Sequence, residues 1–267
     1  MIGPALLFCP ADRPDRYHKA LTAADTIIID LEDAVAPNRR SEARQMLRDH
    51  PLEPERVIVR VNPVTTADFR ADLEAVRQTP YRSVMLAKTE EPADVDALEG
   101  LRVIALCETA RGVLAAGAIA AHPAVTGMMW GAEDLAASLG GRSSRFPSGG
   151  YRDVSLHARS TVLIAAGAHG KAAIDSVWLD ITDVDGLAAE ASDAVASGFV
   201  AKACIHPSHA SVIRKAYAPT DAQVAWAERV TAAAAEGGVV QLDGHMIDSP
   251  LLRQAERVLA AHHGTSH

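Results

Sequence analysis

Several features are missing from this 267-residue chain. No apolar run approaches the roughly 20 residues that a helix needs to cross a bilayer, so a membrane partner is not expected. No basic segment followed by a long apolar one opens the chain, so no secretion signal is expected. No GxGxxG follows the first apolar run, which leaves dinucleotide binding without support. Cys9, Cys107 and Cys204 form no CxxC pair, so neither structural zinc nor a disulfide framework is suggested. Each lies in an apolar run, as buried free thiols do in a reducing cytoplasm. Positive charge is in deficit: the formal net charge is −8, which argues against nucleic acid as a partner. An anionic substrate therefore needs a local basic cluster or a bound cation. Low-complexity linkers and solenoid repeats are also missing.

What is present is a globular composition, 48% hydrophobic, and a regular rhythm. Strands are expected at Ala5–Ala11, Thr26–Leu31, Arg56–Asn62, Ser83–Lys88, Arg102–Glu108, Val125–Trp130, Ala172–Leu179 and Gly198–Ile205. Helices are expected between them, at Pro14–Ala24, Pro37–His50, Asp68–Gln78, Ala93–Glu99, Gly112–Ala121, Arg152–Gly167 and Asp185–Ser197, and a last one running to about Ala216. The strands are short and almost wholly apolar, as parallel strands covered on both faces are. Eight such steps with right-handed crossovers favour a closed α/β barrel, the (β/α)8 or TIM barrel, over an open sheet. The turn-rich stretch from Gly140 to Tyr151 breaks the rhythm and is long for a compact domain, which marks it as functional or mobile. The barrel is expected over residues 1–218. Residues 219–267 read as a helix-hairpin-helix extension: a helix at Asp221–Ala235, a hairpin between Gly237-Gly238 and Asp243-Gly244, and a last helix from Ser249-Pro250.

The chemistry collects where the strands end, which in such a barrel is the active face. Those ends supply Asp30, Glu32, Asp33, Arg60, Asn62, Lys88, Glu108, Asp134, Asp175, Lys202 and His206. Val103–Cys107 is an unbroken apolar run that stops at Glu108, and a buried carboxylate there needs a counter-charge. Asp134 follows the next strand, and neighbouring strand ends lie about 5 Å apart. Two carboxylates at that spacing can share one hard cation with waters and substrate oxygens, the usual manner of Mg²⁺ binding. Glu133 competes with Asp134 for the role. Arg60 sits late in its strand, suited either to binding a carboxylate or carbonyl oxygen or to a salt bridge with Asp30 or Glu32. Glu32 and Asp33 can orient waters and Arg60. Lys88 is read as an ion-pair partner in preference to a Schiff-base lysine. His206 is read either as a base or as a structural histidine.

Eight short stretches, in order, carry a family resemblance. They are Phe8-Cys9-Pro10-Ala11-Asp12-Arg13, Asp30-Leu31-Glu32-Asp33-Ala34-Val35, Val59-Arg60-Val61-Asn62, Ala87-Lys88-Thr89-Glu90, Glu108-Thr109-Ala110-Arg111-Gly112-Val113, Gly131-Ala132-Glu133-Asp134-Leu135, Gly198-Phe199-Val200-Ala201-Lys202 with Ile205-His206-Pro207, and Met246-Ile247-Asp248. Nearly the whole chain thus resembles the citrate lyase beta subunit-like proteins of the HpcH/HpaI aldolase and malyl-CoA lyase superfamily. The resemblance implies a homotrimeric, Mg²⁺-dependent lyase. Such an enzyme makes or breaks a C–C bond in a 3-hydroxyacyl-CoA thioester of the citramalyl-CoA or malyl-CoA type, with a 2-oxo acid and an acyl-CoA as the other partners. It implies Glu108 and Asp134 as metal ligands, with Glu108 also facing substrate, and Arg60 on the substrate oxygen. It also implies Glu32 beside the metal, Arg16 and Lys19 in the CoA-binding region, and Asp248 as a catalytic aspartate that the extension delivers to a neighbouring subunit. The sequence departs from the family at Ala11, where Gly is common, and at Ala87 and Thr89, where Pro and Val are common. Those departures blur the CoA and acyl pocket. A CoA-independent 2-oxo acid aldolase, a malate synthase-like condensing enzyme and the lyase subunit of a citrate lyase complex are the alternatives.

Overall fold

The computed structural model describes residues 3–235, 240–242 and 245–265. Two compact units divide the chain, Met1–Ile213 and Arg214–His267. The first is a closed barrel of eight parallel strands: β1 (Ala5–Pro10), β2 (Thr26–Asp30), β3 (Val57–Val61), β4 (Ser83–Leu86), β5 (Arg102–Cys107), β6 (Val125–Trp130), β7 (Ala172–Asp175) and β8 (Ala201–Cys204). Each strand pairs with the next, and β1 closes onto β8 through Leu6 opposite Ala203. Helices follow the strands as α1 (Tyr17–Ala23), α2 (Arg40–Asp49), α3 (Asp68–Arg77), α4 (Pro92–Asp96), α5 (Ala110–Ala121), α6 (Ala132–Ser138), α7 (Asp153–Ala168), α8 (Val184–Ser197) and α9 (Pro207–Tyr217). This is the (β/α)8 architecture expected from the eight apolar runs.

The strands are buried on both faces because the two faces meet different layers. Successive strand residues point to opposite sides. Leu6, Ile28, Ile58, Met85, Ile104, Leu106, Met129, Ile174 and Ala203, with Ala201, form one cluster to which every strand contributes, so these side chains fill the barrel interior. The intervening residues, such as Ile27, Ile29, Val59, Val84 and Ala105, are equally buried and lie on the helix side.

Several boundaries differ from expectation, among them β7, which stops at Asp175 and not at Leu179; three others have a clear local reason. Ala132–Ser138 is a separate helix, α6, so Asp134 lies in a first helical turn and not at a strand end. The strand β8 begins at Ala201 because Gly198, at φ 114°, caps α8 and bonds back to Ala194, a left-handed position that suits glycine. The strand β4 stops at Leu86, and Lys88 follows at φ 49°.

The second unit contains α10 (Asp221–Ala235), β9 (Val240–Leu242), β10 (His245–Ile247) and α11 (Ser249–Thr265). The strands β9 and β10 pair antiparallel. The glycine-bearing positions 237–238 and 243–244, expected to flank this hairpin, lie outside the described residues. Ala227, Val230 and Ala255 form the small core of this unit. No helix among the described residues is long and apolar enough to cross a membrane.

Candidate active site

Strand periodicity places the first three site residues. Asp30, Arg60 and Glu108 lie two residues beyond the interior-facing Ile28, Ile58 and Leu106, so they continue the inward rows at the carboxyl end of the barrel. Arg60 is buried. Its Nε and Nη2 donate to Asp30 Oδ1 and Oδ2 at 2.7 and 2.6 Å, and its Nη1 lies 3.1 Å from Glu32 Oε2. Its guanidinium carbon stands 4.8 Å above the Phe8 ring. Burial opposes the charge of Arg60, but Asp30 and Glu32 outweigh it and hold the group protonated well above its ordinary value. Arg60 therefore takes both partners weighed for it. A guanidinium has five N–H donors; the two hydrogen bonds to Asp30 engage two of them, and Nη1 meets Glu32 as an ion pair, which leaves donors for an incoming oxygen.

Lys88 gathers the acidic residues. Its Nζ bonds Glu32 Oε1, lies 3.1 Å from Asp134 Oδ1 and 3.4 Å from Asp33 Oδ2, and is 3.9 Å from Glu108 Oε1. Its backbone N–H donates to Glu108 Oε1 at 3.2 Å. Burial works against the ammonium, but its bond to Glu32 and the charges of Glu108, Glu32 and Asp134 hold its pKa above the ordinary lysine value. A Schiff-base lysine needs the opposite shift, so the ion-pair reading of Lys88 agrees with the geometry. Burial pushes the Glu108 carboxyl up to about 8, and the neighbouring charge of Asp134 pushes in the same direction. Burial also raises Glu32.

The remaining sequence candidates divide. Glu133 accepts a bond from Ser144 Oγ at 2.5 Å and so ties α6 to the turn-rich loop, while Asp134 faces Lys88. Asn62 bonds Asp72 and the Leu31 carbonyl, a structural clasp between β3, α3 and the chain after β2. Asp175 and Lys202 do not join the cluster. They alternate with the interior residues Ile174, Ala201 and Ala203, so they face the helices. There Asp175 binds Lys202, Arg159 and Trp130, and Lys202 also binds Glu190. His206 is exposed and shares a 2.7 Å bond with Ser208. Arg16 and Lys19 are exposed on the turn and helix that follow β1. Asp248, in the second unit, is exposed and accepts the Leu251 N–H at 3.2 Å as the N-cap of α11.

Residues 5–207 match the family described as HpcH/HpaI aldolase/citrate lyase. The chain belongs to that family. A citrate lyase subunit beta-like protein of Mycobacterium tuberculosis is 55% identical over 258 residues, 96% of this chain and 94% of that one. A (3S)-malyl-CoA thioesterase of Cereibacter sphaeroides is 35% identical, covering 96% of this chain and 93% of the relative. A mitochondrial citramalyl-CoA lyase of Rattus norvegicus is 32% identical, covering 96% and 84%. The crystal structure of the Mycobacterium tuberculosis protein CitE in complex with magnesium, acetoacetate and coenzyme A superposes with a TM-score of 0.94 at 54% identity, covering 97% of this chain and 98% of that one. A structure of the citrate lyase beta subunit from M. tuberculosis with oxaloacetate and magnesium gives 0.80 at 57% identity, covering 81% and 97%.

Within this HpcH/HpaI-type barrel, the donor set suits a hard divalent cation. All of its donors are carboxylate oxygens, with no His or Cys among them. Glu32 Oε2, although buried, accepts no hydrogen bond. Among the described residues no three His, Cys, Asp or Glu side chains already converge as a metal cage. A cation held by Glu108 and Asp134 alone, with waters and substrate completing its shell, needs no such cage. Gly131 makes room for this arrangement. A Cβ there would lie 2.6 Å from Glu108 Oε2 and 2.8 Å from Glu108 Cβ. The sequence reading missed that packing role, as it missed the stacking of Phe8 on Arg60. A glycine set between an apolar strand and an acidic pair was the available signal for close approach.

Proposed function

We propose that this protein is a Mg²⁺-dependent carbon–carbon lyase acting on a 3-hydroxyacyl-CoA thioester of the citramalyl-CoA or malyl-CoA type, giving a 2-oxo acid and an acyl-CoA. The observation that carries the reading is the approach of Glu108 and Asp134 to one point, the Lys88 ammonium, beside a buried Arg60 with N–H donors to spare. The magnesium complexes of CitE with acetoacetate and coenzyme A and of the citrate lyase beta subunit with oxaloacetate support it, as does the citramalyl-CoA lyase relative. Buried Cys9, Cys107 and Cys204 suit a reducing, cytoplasmic setting.

Glu108 and Asp134 would hold the metal. When bound, Mg²⁺ supplies Lewis-acid polarisation of the hydroxyl oxygen that becomes the ketone. Arg60 adds positive charge at that oxygen from a position fixed in advance by Asp30, Glu32 and Phe8, so little reorganisation is needed as charge develops. Glu32 holds Arg60 and Lys88 in register. In cleavage the hydroxyl gives up its proton to water as its oxygen becomes the ketone, the C–C bond breaks with its electron pair on the carbon next to the thioester, and a proton must reach that carbon. Asp248, exposed at the start of α11, is the proposed acid, delivered to a neighbouring subunit of a homotrimer by the extension over residues 219–267. Arg16 and Lys19 are proposed to meet the CoA phosphates.

The test is incubation of the purified chain and Mg²⁺ with a panel of 3-hydroxyacyl-CoAs and free hydroxy acids, read by mass spectrometry. Formation of a 2-oxo acid and a shorter acyl-CoA is the expected result. Cleavage of free hydroxy acids alone would replace this reading with a CoA-independent aldolase. The malyl-CoA thioesterase relative favours a second outcome, release of free CoA by hydrolysis, which a thiol reagent detects in the same reaction. The citrate lyase subunit beta-like relative raises a further alternative, a subunit that needs a carrier protein. Turnover of acyl-CoA by the chain alone excludes that dependence.

A further inference from the structure

Lys88 presents two unusual features together. Among the described residues it is the one non-glycine at positive φ, 49°, a conformation disfavoured for a residue with a side chain. The segment is pinned in that shape from both sides. Ala87 N–H bonds Val61 O on β3, Thr89 N–H bonds Leu106 O on β5, and Thr89 Oγ1 bonds Leu86 O. The shape points the Lys88 N–H at Glu108 and brings its ammonium among Glu32, Asp33, Glu108 and Asp134. Backbone strain held this firmly at a charged cluster points to function.

The ammonium contacts the same two carboxylates that the magnesium reading assigns to the metal. Four acidic side chains so close together repel unless a cation sits among them. A divalent cation on Glu108 and Asp134 would in turn repel an ammonium 3.1 Å from Asp134. Both cannot keep the positions described here. The side chain has somewhere to go: it is 29% exposed, and Asp33, on its outer side, is 57% exposed.

We propose that Lys88 is a resident counter-ion of the metal site, an inference that rests on the magnesium reading above. In the metal-free protein its ammonium holds Glu108 and Asp134 in binding position. On metal entry it keeps Glu32 and withdraws from Glu108 and Asp134 towards Asp33, so metal uptake exchanges one cation for another. The strained backbone fixes the root of the side chain while its tip moves. Lys88 is then a positioning residue that keeps the empty site assembled and weakens metal binding by competition.

The experiment compares the full-length protein with Lys88→Met and Lys88→Arg. Mn²⁺ binding is measured by electron paramagnetic resonance, Mg²⁺ binding by calorimetry, and metal-free melting by circular dichroism. Lys88→Met is expected to melt lower without metal yet bind Mn²⁺ at least tenfold more tightly, and Lys88→Arg to stay near wild type. A purely structural lysine predicts the reverse for Lys88→Met, weaker binding through disordered ligands. Unchanged or weaker binding by folded Lys88→Met overturns the inference and leaves the magnesium reading standing. Absence of Mg²⁺ and Mn²⁺ binding by the wild type overturns both. If Lys88→Met does not fold, a crystal structure of the Mn²⁺-loaded wild type decides: Nζ still about 3 Å from Asp134 Oδ1 refutes displacement, and Nζ moved off Asp134 and onto Asp33 supports it.

Discussion

Replacement of Gly131 by alanine tests whether Glu108 is held in place by packing. The backbone imposes no penalty, since Gly131 is extended at φ −126° and ψ 122°. The cost comes from space. An ordinary contact begins near 3.4 Å, whereas the new Cβ would lie 2.8 Å from Glu108 Cβ and 2.6 Å from Oε2. Glu108 must therefore retreat by about 0.6 Å at its root and about 0.8 Å at its tip, or β5 and α6 must part by as much. Overpacking of this kind costs about 1–3 kcal/mol, which in a domain of this size lowers Tm by roughly 2–10 °C. The effect on function should be larger in proportion. A productive constellation tolerates about 0.5 Å of error, and misplacement of about 1 Å can cost about 10²-fold in rate. Gly131→Ala is thus expected to fold, melt lower, bind Mn²⁺ more weakly and lose about 10- to 100-fold in kcat. Gly117→Ala, in α5 with open space around the new methyl, is the control, and its Tm should hold or rise. Wild-type melting, metal affinity and turnover in Gly131→Ala would refute the packing argument.

Glu108→Gln and Asp134→Asn should each abolish Mg²⁺-dependent turnover while circular dichroism stays native; full activity in both would remove the pair from the metal site. Asp248→Asn should keep the N-cap of α11, because Asn caps as well as Asp, yet lose at least about 100-fold in turnover as an acid catalyst; wild-type rates would reduce Asp248 to a cap. Burial raises the Asp175 carboxyl, but Lys202, Arg159 and Trp130 pull it lower still, to a net value below the ordinary 3.8. The unfolded chain then takes up this proton at a higher pH than the folded one, so the contribution is complete above about pH 3.8 and is lost as pH falls below it. Asp175→Asn should lose about 3–5 kcal/mol at pH 7, because two buried cations lose a partner, and should show a flatter acid limb in urea midpoints from pH 7 to pH 3. An acid limb as steep as wild type would show that Asp175 does not carry it.

Much of the site was legible because it sits on strands. Apolar runs located all eight, and polar residues closing those runs pointed to the barrel mouth. The listing of strand ends nevertheless mixed two layers. Asp30, Arg60 and Glu108 share the phase of Ile28, Ile58 and Leu106, while Asp175 and Lys202 are out of phase with Ile174 and Ala203. Counting phase within each run would have separated the groups. The helix α6 escaped notice because seven residues span two turns, too few for a hydrophobic period to declare itself. The role proposed for Asp248 depends on contacts between subunits, on which periodicity carries no information.

The sequence by itself determined the local structure: which segments extend, which coil, where polar residues interrupt apolar runs, and that eight such units follow one another. Those properties depend on neighbours a few residues apart, so they can be read in order. Only the tertiary structure decided which charges meet. Closure of β1 on β8 sets the ring, and within it Lys88 reaches Glu32, 56 residues away, and Asp134. Arg60 pairs with both Asp30 and Glu32, and Glu133 leaves the cluster for Ser144. Electrostatic partners are chosen by distance and burial in three dimensions. One row of acidic residues therefore became both a set of structural clasps and a cluster around the Lys88 ammonium.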